Sequence, residues 1–200
     1  MPSAAQPRNT AKKTKSSTAA KSPKQSGKAT KAAKPNGSAK VAPKRSAARK
    51  AAPEKLYVVR WSKIHGRGVF AAADIPKGAR IVEYKGKRIS YKLACKLYPD
   101  VDGKPTHTFL FEIDDDTVID AAQGGNAARW INHSCEPNCE AVDDDGRIYI
   151  EAIRKIKAGE ELGYNYGITL DEKHTKAEKA RWPCYCGKKT CRGTLLQPKH

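Results

Sequence analysis

The stretch Arg129–Cys139 has the sequence R-W-I-N-H-S-C-E-P-N-C, and the rest of the chain is best understood outward from it. It concentrates amide, imidazole, hydroxyl and thiol groups, and Pro137 stiffens a turn within it. These groups bind ligands and metals, and ordinary core or surface segments do not concentrate them. The alternative is a polar loop with two incidental cysteines, so the remaining sequence has to decide between the two interpretations.

Three further cysteines close the chain in a C-x-C-x4-C pattern, at Cys184, Cys186 and Cys191. Structural zinc takes four ligands in a tetrahedron, so a fourth thiol must come from elsewhere. Either Cys135 or Cys139 of the central stretch can supply it and would tie the C-terminus to that stretch. Three ordinary thiols are the alternative, but clustered thiols around a Cys-Gly turn suit a metal better than core packing.

The charge of the 200-residue chain is concentrated at its N-terminus. Residues 1–55 contain 12 Lys and 3 Arg against one acid, a net charge of +14, and the other residues supply only +4. No apolar run is long enough to span a bilayer, and the N-terminus lacks the apolar core of a signal peptide. We therefore expect a soluble protein in a reducing compartment, where metal-bound or free thiols are favoured over disulfides, with Cys95 as a spectator.

Residues 1–54 form a Lys-, Ala- and Pro-rich tail with almost no large apolar side chains. Such a segment buries too little surface to offset its chain entropy, so we predict that it is disordered. Its cation density favours binding to a polyanion such as DNA over a role as a solvated linker. No aromatic residue interrupts the lysines, so we expect little sequence selectivity from the tail.

From residue 56 onward, short alternating runs bounded by turn residues predict strands, with few helices, which indicates a β-rich α+β domain. Two acidic segments, 114–116 and 143–146, are predicted to be hairpin turns and not calcium sites, because neither has the spaced ligands of an EF-hand loop. The predicted strands are 56–59, 69–73, 80–90 with a break at Gly86, 108–113, 117–119 and 147–153. The predicted helical segments are 91–98, one or two turns in 126–131, and 171–182.

Two small patterns add to the candidate site. Gly66 and Gly68 bracket Arg67, so the backbone can approach a ligand closely there, but no helical pattern follows as a dinucleotide-binding fold requires. Tyr164 and Tyr166 lie two residues apart on extended chain and should face the same way. Core packing with one bonded hydroxyl is the alternative for these tyrosines.

Taken together, these residues resemble one family. The segments H-G-R-G at 65–68, E-Y-K-G at 83–86, 126–139, E-E-L-G-Y-N-Y at 160–166 and the final cysteine cluster are similar to the motifs of a SET-domain protein-lysine N-methyltransferase with a post-SET zinc segment. The likeness covers about residues 57–196 and is to the trithorax type, in a small stand-alone form that resembles bacterial versions. It predicts a basic tail at 1–54, a SET domain at 55–168, and a linker helix with the post-SET segment at 169–200.

The resemblance implies several small β-sheets with a pseudoknot, in which the Asn-His segment crosses the chain before Tyr166. It implies S-adenosylmethionine as the cofactor and a structural zinc, with Cys135 as the fourth ligand beside Cys184, Cys186 and Cys191, and Cys139 as a spectator. The implied cofactor-binding residues are His65, Gly66, Arg67, Gly68, Phe109, Arg129, Trp130, Asn132, His133 and Tyr185.

For catalysis, the resemblance assigns Tyr166 as the catalytic tyrosine, with Tyr84 and Tyr164 lining the same lysine channel. Methyl transfer from a sulfonium to an amine is an in-line displacement, and positioning alone can supply about 7–11 kcal/mol. The chain departs from the family pattern at three positions, and these departures affect rate and substrate choice more than the reaction class. Gly163 stands where relatives commonly have Thr, Asn165 where they have Asp, and Lys87 where they often have Glu.

The function implied is a lysine methyltransferase for histones or histone-like basic proteins, a monomer whose tail binds DNA. Two alternatives are a histone-like DNA-binding protein with an inactive SET-like domain, and an enzyme that methylates its own tail. The expected location is the cytoplasmic nucleoid in a bacterium, or the nucleus and its chromosomes in a eukaryote or after delivery to a host.

Overall fold

The computed structural model describes residues 12–13, 55–99, 109–170 and 173–198. These residues form short strands, two α-helices and one 3-10 helix, so the predicted β-rich class is confirmed. The strands are β1 (Lys12–Lys13), β2 (Tyr57–Trp61), β3 (Arg67–Ala71), β4 (Arg80–Glu83), β5 (Lys87–Ser90), β6 (Leu110–Glu112), β7 (Thr117–Asp120), β8 (Asn132–His133), β9 (Cys139–Asp144), β10 (Arg147–Ala152) and β11 (Gly163–Tyr164). The helices are α1 (Tyr91–Leu97), the 3-10 helix (Ala127–Trp130) and α2 (Lys176–Arg181).

The strands form four small sheets, with one main apolar core and two smaller apolar clusters. Their orders are β1-β9-β10-β4, β5-β7-β6, β2-β3 and β11-β8. The core is built from aliphatic side chains of the sheets, into which Phe111 is fully buried. Completely buried members include Val69, Ile75, Ile148, Ile150, Ile156 and Leu162.

Both acidic segments are hairpin turns, as predicted. The Asp114 carboxylate accepts bonds from the backbone N–H of Asp116 and of Thr117, at 3.0 and 2.7 Å, between β6 and β7. The Asp143 carboxylate accepts the Gly146 N–H at 2.7 Å between β9 and β10, where the φ angle of Asp145 is 54°. These carboxylates therefore organise the backbone of their own turns.

The predicted break at Gly86 is also found, between β4 and β5. A Cβ atom at this position would lie 2.5 Å from the carbonyl oxygen of Asp120, so only glycine allows this approach of the two backbones. The chain consequently leaves one sheet at Glu83 and enters another at Lys87.

The helices differ from expectation in detail. Helix α1 starts where Ser90 Oγ accepts the Leu93 N–H, but it buries Ala94 and leaves Leu93 and Leu97 exposed. Helix α2 covers only Lys176–Arg181 of the predicted segment, because Thr175 caps its first turn.

In the predicted tail, the described residues are Lys12 and Lys13, which pair in parallel with Val142 and Asp143 of β9. The rest of residues 1–54 lies outside the described residues, so the predicted disorder of the tail stays a prediction. Within the described ranges, no helix is both long and apolar enough to cross a membrane.

Candidate active site and metal cluster

The crossing, defined as β8 and β11 together with Asn138, lies at the centre of the candidate site. Asn132 pairs with Gly163 and His133 with Tyr164 in parallel register. The Asn138 side chain donates to the Glu161 carbonyl and accepts the Gly163 N–H, each at 2.9 Å. Two segments some thirty residues apart in the chain are thereby fixed against one another, where the resemblance implied the pseudoknot.

Asn132 connects the crossing to the Gly66–Gly68 loop. Its amide donates to the carbonyl of Arg67 at 3.0 Å, and it also lies 3.4 Å from the carbonyl of His65. The same amide donates to Glu161 Oε1 at 2.9 Å. A Cβ atom at Gly68 would lie 2.3 Å from that carboxylate oxygen and 2.9 Å from the Cβ of Ser62. The close packing of this loop therefore requires glycine at position 68. The loop predicted to bind the methyl donor therefore lies against the Asn-His motif.

A cationic and aromatic group lies beside this loop. The Phe109 and Trp130 rings meet edge to face, with centroids 4.9 Å apart. The Arg129 guanidinium lies 4.8 Å from the Trp130 centroid, and that of Arg67 lies 5.3 Å from it. Three of the predicted cofactor-binding residues thus surround a fourth, Trp130. Arg129 also donates to the Ala121 carbonyl, and its buried Nε has no hydrogen-bond partner among the described residues.

The three predicted channel tyrosines are joined by ring contacts that run from Tyr84 through Phe111 and Tyr164 to Tyr166. The ring centroids of Tyr164 and Tyr166 are 5.0 Å apart, and Phe111 lies 5.2 Å from Tyr84 and 6.5 Å from Tyr164. The Tyr84 hydroxyl donates to the Phe109 carbonyl at 3.1 Å, and the Tyr166 hydroxyl to the Ile131 carbonyl at 2.9 Å. Burial raises the pKa of both phenols above the ordinary value, so both are neutral at neutral pH.

His133 joins the tyrosines to the cysteines. Its Nδ1 accepts the backbone N–H of Tyr166 at 3.1 Å, and its ring lies 5.3 Å from the Tyr166 ring. Its Nε2 lies 3.5 Å from the Sγ of Cys135. Burial, together with the charge of Arg192, lowers the pKa of His133 to about 4, which keeps the imidazole neutral.

The structure decides between the two candidate thiols of the motif. The Sγ atoms of Cys135, Cys184, Cys186 and Cys191 all lie within 4.8 Å of one another. Thiolates around a tetrahedral zinc at about 2.3 Å are about 3.8 Å apart, and the Cys135–Cys184 separation is 3.7 Å. The four half-buried or buried thiols therefore fit zinc in number, type and spacing.

Local hydrogen bonds favour the thiolate at one member of this cluster, Cys186. Burial by itself raises its pKa, but hydrogen bonds from the backbone and from the neighbouring thiols outweigh burial and lower the pKa to about 7. At Cys135 and Cys184 burial dominates and raises the pKa. The backbone N–H of Arg192 also donates to the Sγ of Cys135. Cys139 has the opposite environment: it is 1% exposed in the core, and burial raises its pKa to about 12. It belongs to the apolar core and not to the group of four thiols.

Two predicted cofactor-binding residues are not packed into the group. The Tyr185 ring is 65% exposed, and the side chain of His65 is exposed as well. Contacts of these two residues with a methyl donor remain predictions.

Sequence reasoning missed several residues that position the site. Phe111 lies between the Tyr84 and Tyr164 rings, and Asn138 and Glu161 fix the crossing and the glycine loop. Asn165 was noted only as a departure, yet it accepts a bond from Arg192 and donates to Gln197 at 2.7 Å. Phe111 alone had a usable signal, its place two residues after Phe109 on a predicted strand.

Comparison with known proteins identifies the family. The SET domain family matches residues 66–167, half of the chain, and the protein therefore belongs to the SET-domain family.

The relatives with similar sequences share one description. Human histone-lysine N-methyltransferase 2B and Drosophila virilis histone-lysine N-methyltransferase trithorax are each 43% identical over 138 residues, 67% of this chain. A Schizosaccharomyces pombe histone-lysine N-methyltransferase, H3 lysine-4 specific, is 40% identical over 139 residues. The matched part spans only 5%, 3% and 14% of these relatives, respectively. They come from animals and a fungus, so the bacterial origin stays a prediction.

Proposed function

We propose that this SET domain transfers a methyl group from S-adenosylmethionine to the Nζ atom of a protein lysine. The observation that carries the proposal is the contact between the tyrosine group (Tyr84, Tyr164 and Tyr166) and the Asn-His motif. His133 packs on Tyr166, and its neighbour Asn132 bonds the glycine loop. A donor on the loop and a lysine among the tyrosines would therefore meet at one place.

The residues beside the loop suit S-adenosylmethionine. The buried Arg129 Nε, which has no hydrogen-bond partner in the described part of the chain, offers a donor, and the Trp130 and Phe109 rings offer apolar surface. The Gly66–Gly68 backbone can approach a ligand because a side chain is missing at both ends of Arg67. When bound, the cofactor supplies a methyl group on a positively charged sulfur.

The reaction requires a lysine with a free lone pair. The amine nitrogen forms a bond to the methyl carbon as the carbon–sulfur bond breaks, and the methylated amine then loses a proton to water. Buried aromatic walls disfavour an ammonium ion, so the channel lowers the lysine pKa and favours the neutral amine.

The tyrosine hydroxyls orient that amine. Tyr84 and Tyr166 each donate their only hydroxyl proton to a backbone carbonyl, so the lone pairs of their oxygens are left to accept hydrogen bonds. An amine that donates its protons to these oxygens has its lone pair directed elsewhere, toward the methyl carbon. Because the phenols stay neutral, their role is orientation and not proton abstraction.

We assign zinc to the four-thiol cluster, with Cys135, Cys184, Cys186 and Cys191 as ligands and a structural role. Arg192, next to the last ligand, bonds Asn165, which lies between Tyr164 and Tyr166. The metal would thereby fix the C-terminal segment beside the tyrosine group.

The proposed substrate is a histone or a histone-like basic protein, in line with the names of the relatives. The +14 segment at residues 1–55 supports DNA binding through counterion release, and with it a chromosomal location, nuclear or nucleoid according to the host. We propose a monomer. An inactive DNA-binding protein and self-methylation of the tail remain the competing functions.

The test is methyl transfer from labelled S-adenosylmethionine to core histones by the full chain. Tyr166→Phe removes one hydroxyl and keeps the ring, and we expect its kcat to fall by about 100-fold or more. Tyr149→Phe is the matched control, because its ring lies on β10 between Arg80 and Arg147, outside the site. Absence of transfer to any protein by the wild type would favour the binding-only function.

Self-methylation is separated from histone methylation in the same reactions. Peptide mapping by mass spectrometry assigns the label to histone lysines or to lysines of residues 1–54. Mixing wild type with an isotopically heavy Tyr166→Phe chain distinguishes transfer within one chain from transfer between chains. Label confined to the tail would replace the histone proposal.

Tyr164 bears on how many methyl groups are added. Its ring is 3% exposed beside Tyr166, and we propose that its hydroxyl, with any water bound there, crowds a methylated amine. Mass spectrometry should show mainly low methylation from the wild type and more di- and trimethyl-lysine from Tyr164→Phe. Abundant trimethyl-lysine from the wild type, unchanged in the variant, would contradict this.

A further inference from the structure

The β2–β3 hairpin has an unusual surface charge. Residues 55–73 contain no acidic residue. Their four cations, Lys55, Arg60, Lys63 and Arg67, are all exposed. None of the four forms an ion pair with any acid in the described ranges.

Several cations elsewhere in the domain are instead paired with acids. Arg80 bonds Asp144 and Glu151 at 2.9 Å, and Arg147 bonds Glu83 at 2.8 Å. Lys155 and Lys157 both lie 3.2 Å from the Asp74 carboxylate. The hairpin therefore carries a local positive charge that no acid within it offsets.

An uncovered aromatic residue lies on the same hairpin. The side chain of Trp61, the last residue of β2, is 81% exposed, whereas Trp182 is 8% exposed. Trp61 is directly opposite Arg67, so these two side chains share one face, and Arg60 points to the other. In its sheet, β2 pairs only with β3. Arg60 and Trp61 consequently lie on either side of an outer strand edge.

Exposed tryptophan beside unpaired cations is the combination with which proteins bind single-stranded nucleic acid. The cations attract phosphates, and the ring stacks on an unpaired base. The basic tail leads directly into this hairpin and offers cations but no aromatic ring. The hairpin supplies the stacking group that the tail lacks.

We infer that the tip of the β2–β3 hairpin docks single-stranded nucleic acid, with Arg60 and Lys63 on phosphates and Trp61 stacked on a base. Arg67 is left out of this set, because its guanidinium lies over Trp130 in the candidate cofactor site. The inference does not depend on methyl transfer, and its test requires no turnover.

The first test measures binding of the full chain to a fluorescent single-stranded oligonucleotide and to its duplex. Loss of one base-stacking contact, in Trp61→Ala, should weaken single-strand binding by at least about fivefold and change duplex binding by less than about twofold. Equal single-strand affinity of wild type and Trp61→Ala would overturn the inference, as would an equal loss for the duplex.

The second test uses the salt dependence of binding. Arg60→Ala with Lys63→Ala should reduce the slope of log affinity against log salt by about 1.4, since each single-strand phosphate contact contributes about 0.7. The matched control is Lys155→Ala with Lys157→Ala, which removes the same charge from cations that are already paired. An equal fall in slope for both double variants would mean that only net charge matters and would overturn the docking site.

A third readout checks that the variants are folded and that the ring itself is engaged. Since Trp61 is far more exposed than Trp182, wild-type tryptophan emission should lose accessibility to acrylamide when the oligonucleotide binds, and Trp61→Phe should abolish that change. Unaltered zinc content and melting temperature establish that the variants fold. Two results would contradict the inference. The first is a wild-type acrylamide accessibility that the oligonucleotide does not change. The second is that polyglutamate, at equal charge, competes as strongly as the unlabelled oligonucleotide.

Discussion

The crossing and the C-terminal loop (residues 183–196) lie side by side, yet different forces stabilise them. In the crossing, the Asn138 side chain forms hydrogen bonds with the Glu161 carbonyl and the Gly163 N–H. Side chains of the main apolar core pack around the strands. The C-terminal loop contributes one fully buried apolar side chain, Leu196, to a small second cluster with Ile168, Leu170 and Trp182. It also supplies three of the four clustered thiols. The crossing is thus a product of packing, whereas we expect the loop to require a metal.

The two cysteines of the central motif belong to different regions, although they lie in one short segment. Cys135 faces the thiols of the loop, and Cys139, four residues later, is buried in the core. Substitution at each tests one region at a time.

The largest expected effect is on zinc. Cys135→Ser leaves three thiols, so zinc affinity should fall by about 100-fold or more, and hydrogen exchange in residues 183–196 should rise. Exchange in β9 and β10 should stay slow, because the core does not depend on the metal. Metal content after dialysis and exchange mass spectrometry measure both effects.

Cys139→Ser is the matched control for that experiment. We expect it to retain zinc and to lose only about 1–2 kcal/mol of stability, since its oxygen can still bond the neighbouring amide. Zinc loss from Cys139→Ser, or retention in Cys135→Ser, would refute the assignment of the ligands.

The next effect is on the crossing. Asn138→Ala leaves the Gly163 N–H and the Glu161 carbonyl without partners, at a cost of about 2–4 kcal/mol in the free energy of unfolding. Urea unfolding at saturating zinc measures this loss. A change below about 1 kcal/mol would show that the crossing does not depend on this amide.

A smaller loss is expected at Gly163. A Cβ there would lie 2.9 Å from the Cβ of Ser134, so Gly163→Ala should destabilise the crossing by about 1–3 kcal/mol. The double variant with Ser134→Gly removes the opposing atom and should recover part of the loss. Additive losses in the denaturant-unfolding cycle would indicate that the two positions do not clash.

The smallest effect tests the link between the two regions. Asn165→Asp retains an acceptor for Arg192, whereas Asn165→Ala loses the bonds to Arg192 and to Gln197. We expect Asn165→Ala to raise hydrogen exchange in the C-terminal loop severalfold, with less than about 1 kcal/mol change in global stability, and Asn165→Asp to resemble the wild type. Equal hydrogen exchange in both variants would show that the bonds of Asn165 do not link the crossing to the C-terminal loop.

Local structure was predictable where the residue type by itself favours one backbone conformation. The hairpin turns at Asp114 and Asp143 and the break at Gly86 follow from short-range hydrogen bonding and from the missing Cβ. The exposed face of α1 was not predictable, since Leu93 and Leu97 have the spacing of a buried stripe but Ala94 contacts the sheet. Burial depends on what packs against a helix, and that partner is distant in sequence.

The sequence by itself determined the β-rich class, the set of thiols available to a metal and the aromatic and amide groups of the site. Spacing left Cys135 and Cys139 open as the fourth thiol, and the family resemblance favoured Cys135. Only the tertiary structure placed Cys135 at 3.7 Å from Cys184 and buried Cys139. The physical reason is that coordination and burial are set by contacts between segments some fifty residues apart, which neither local propensity nor periodicity encodes.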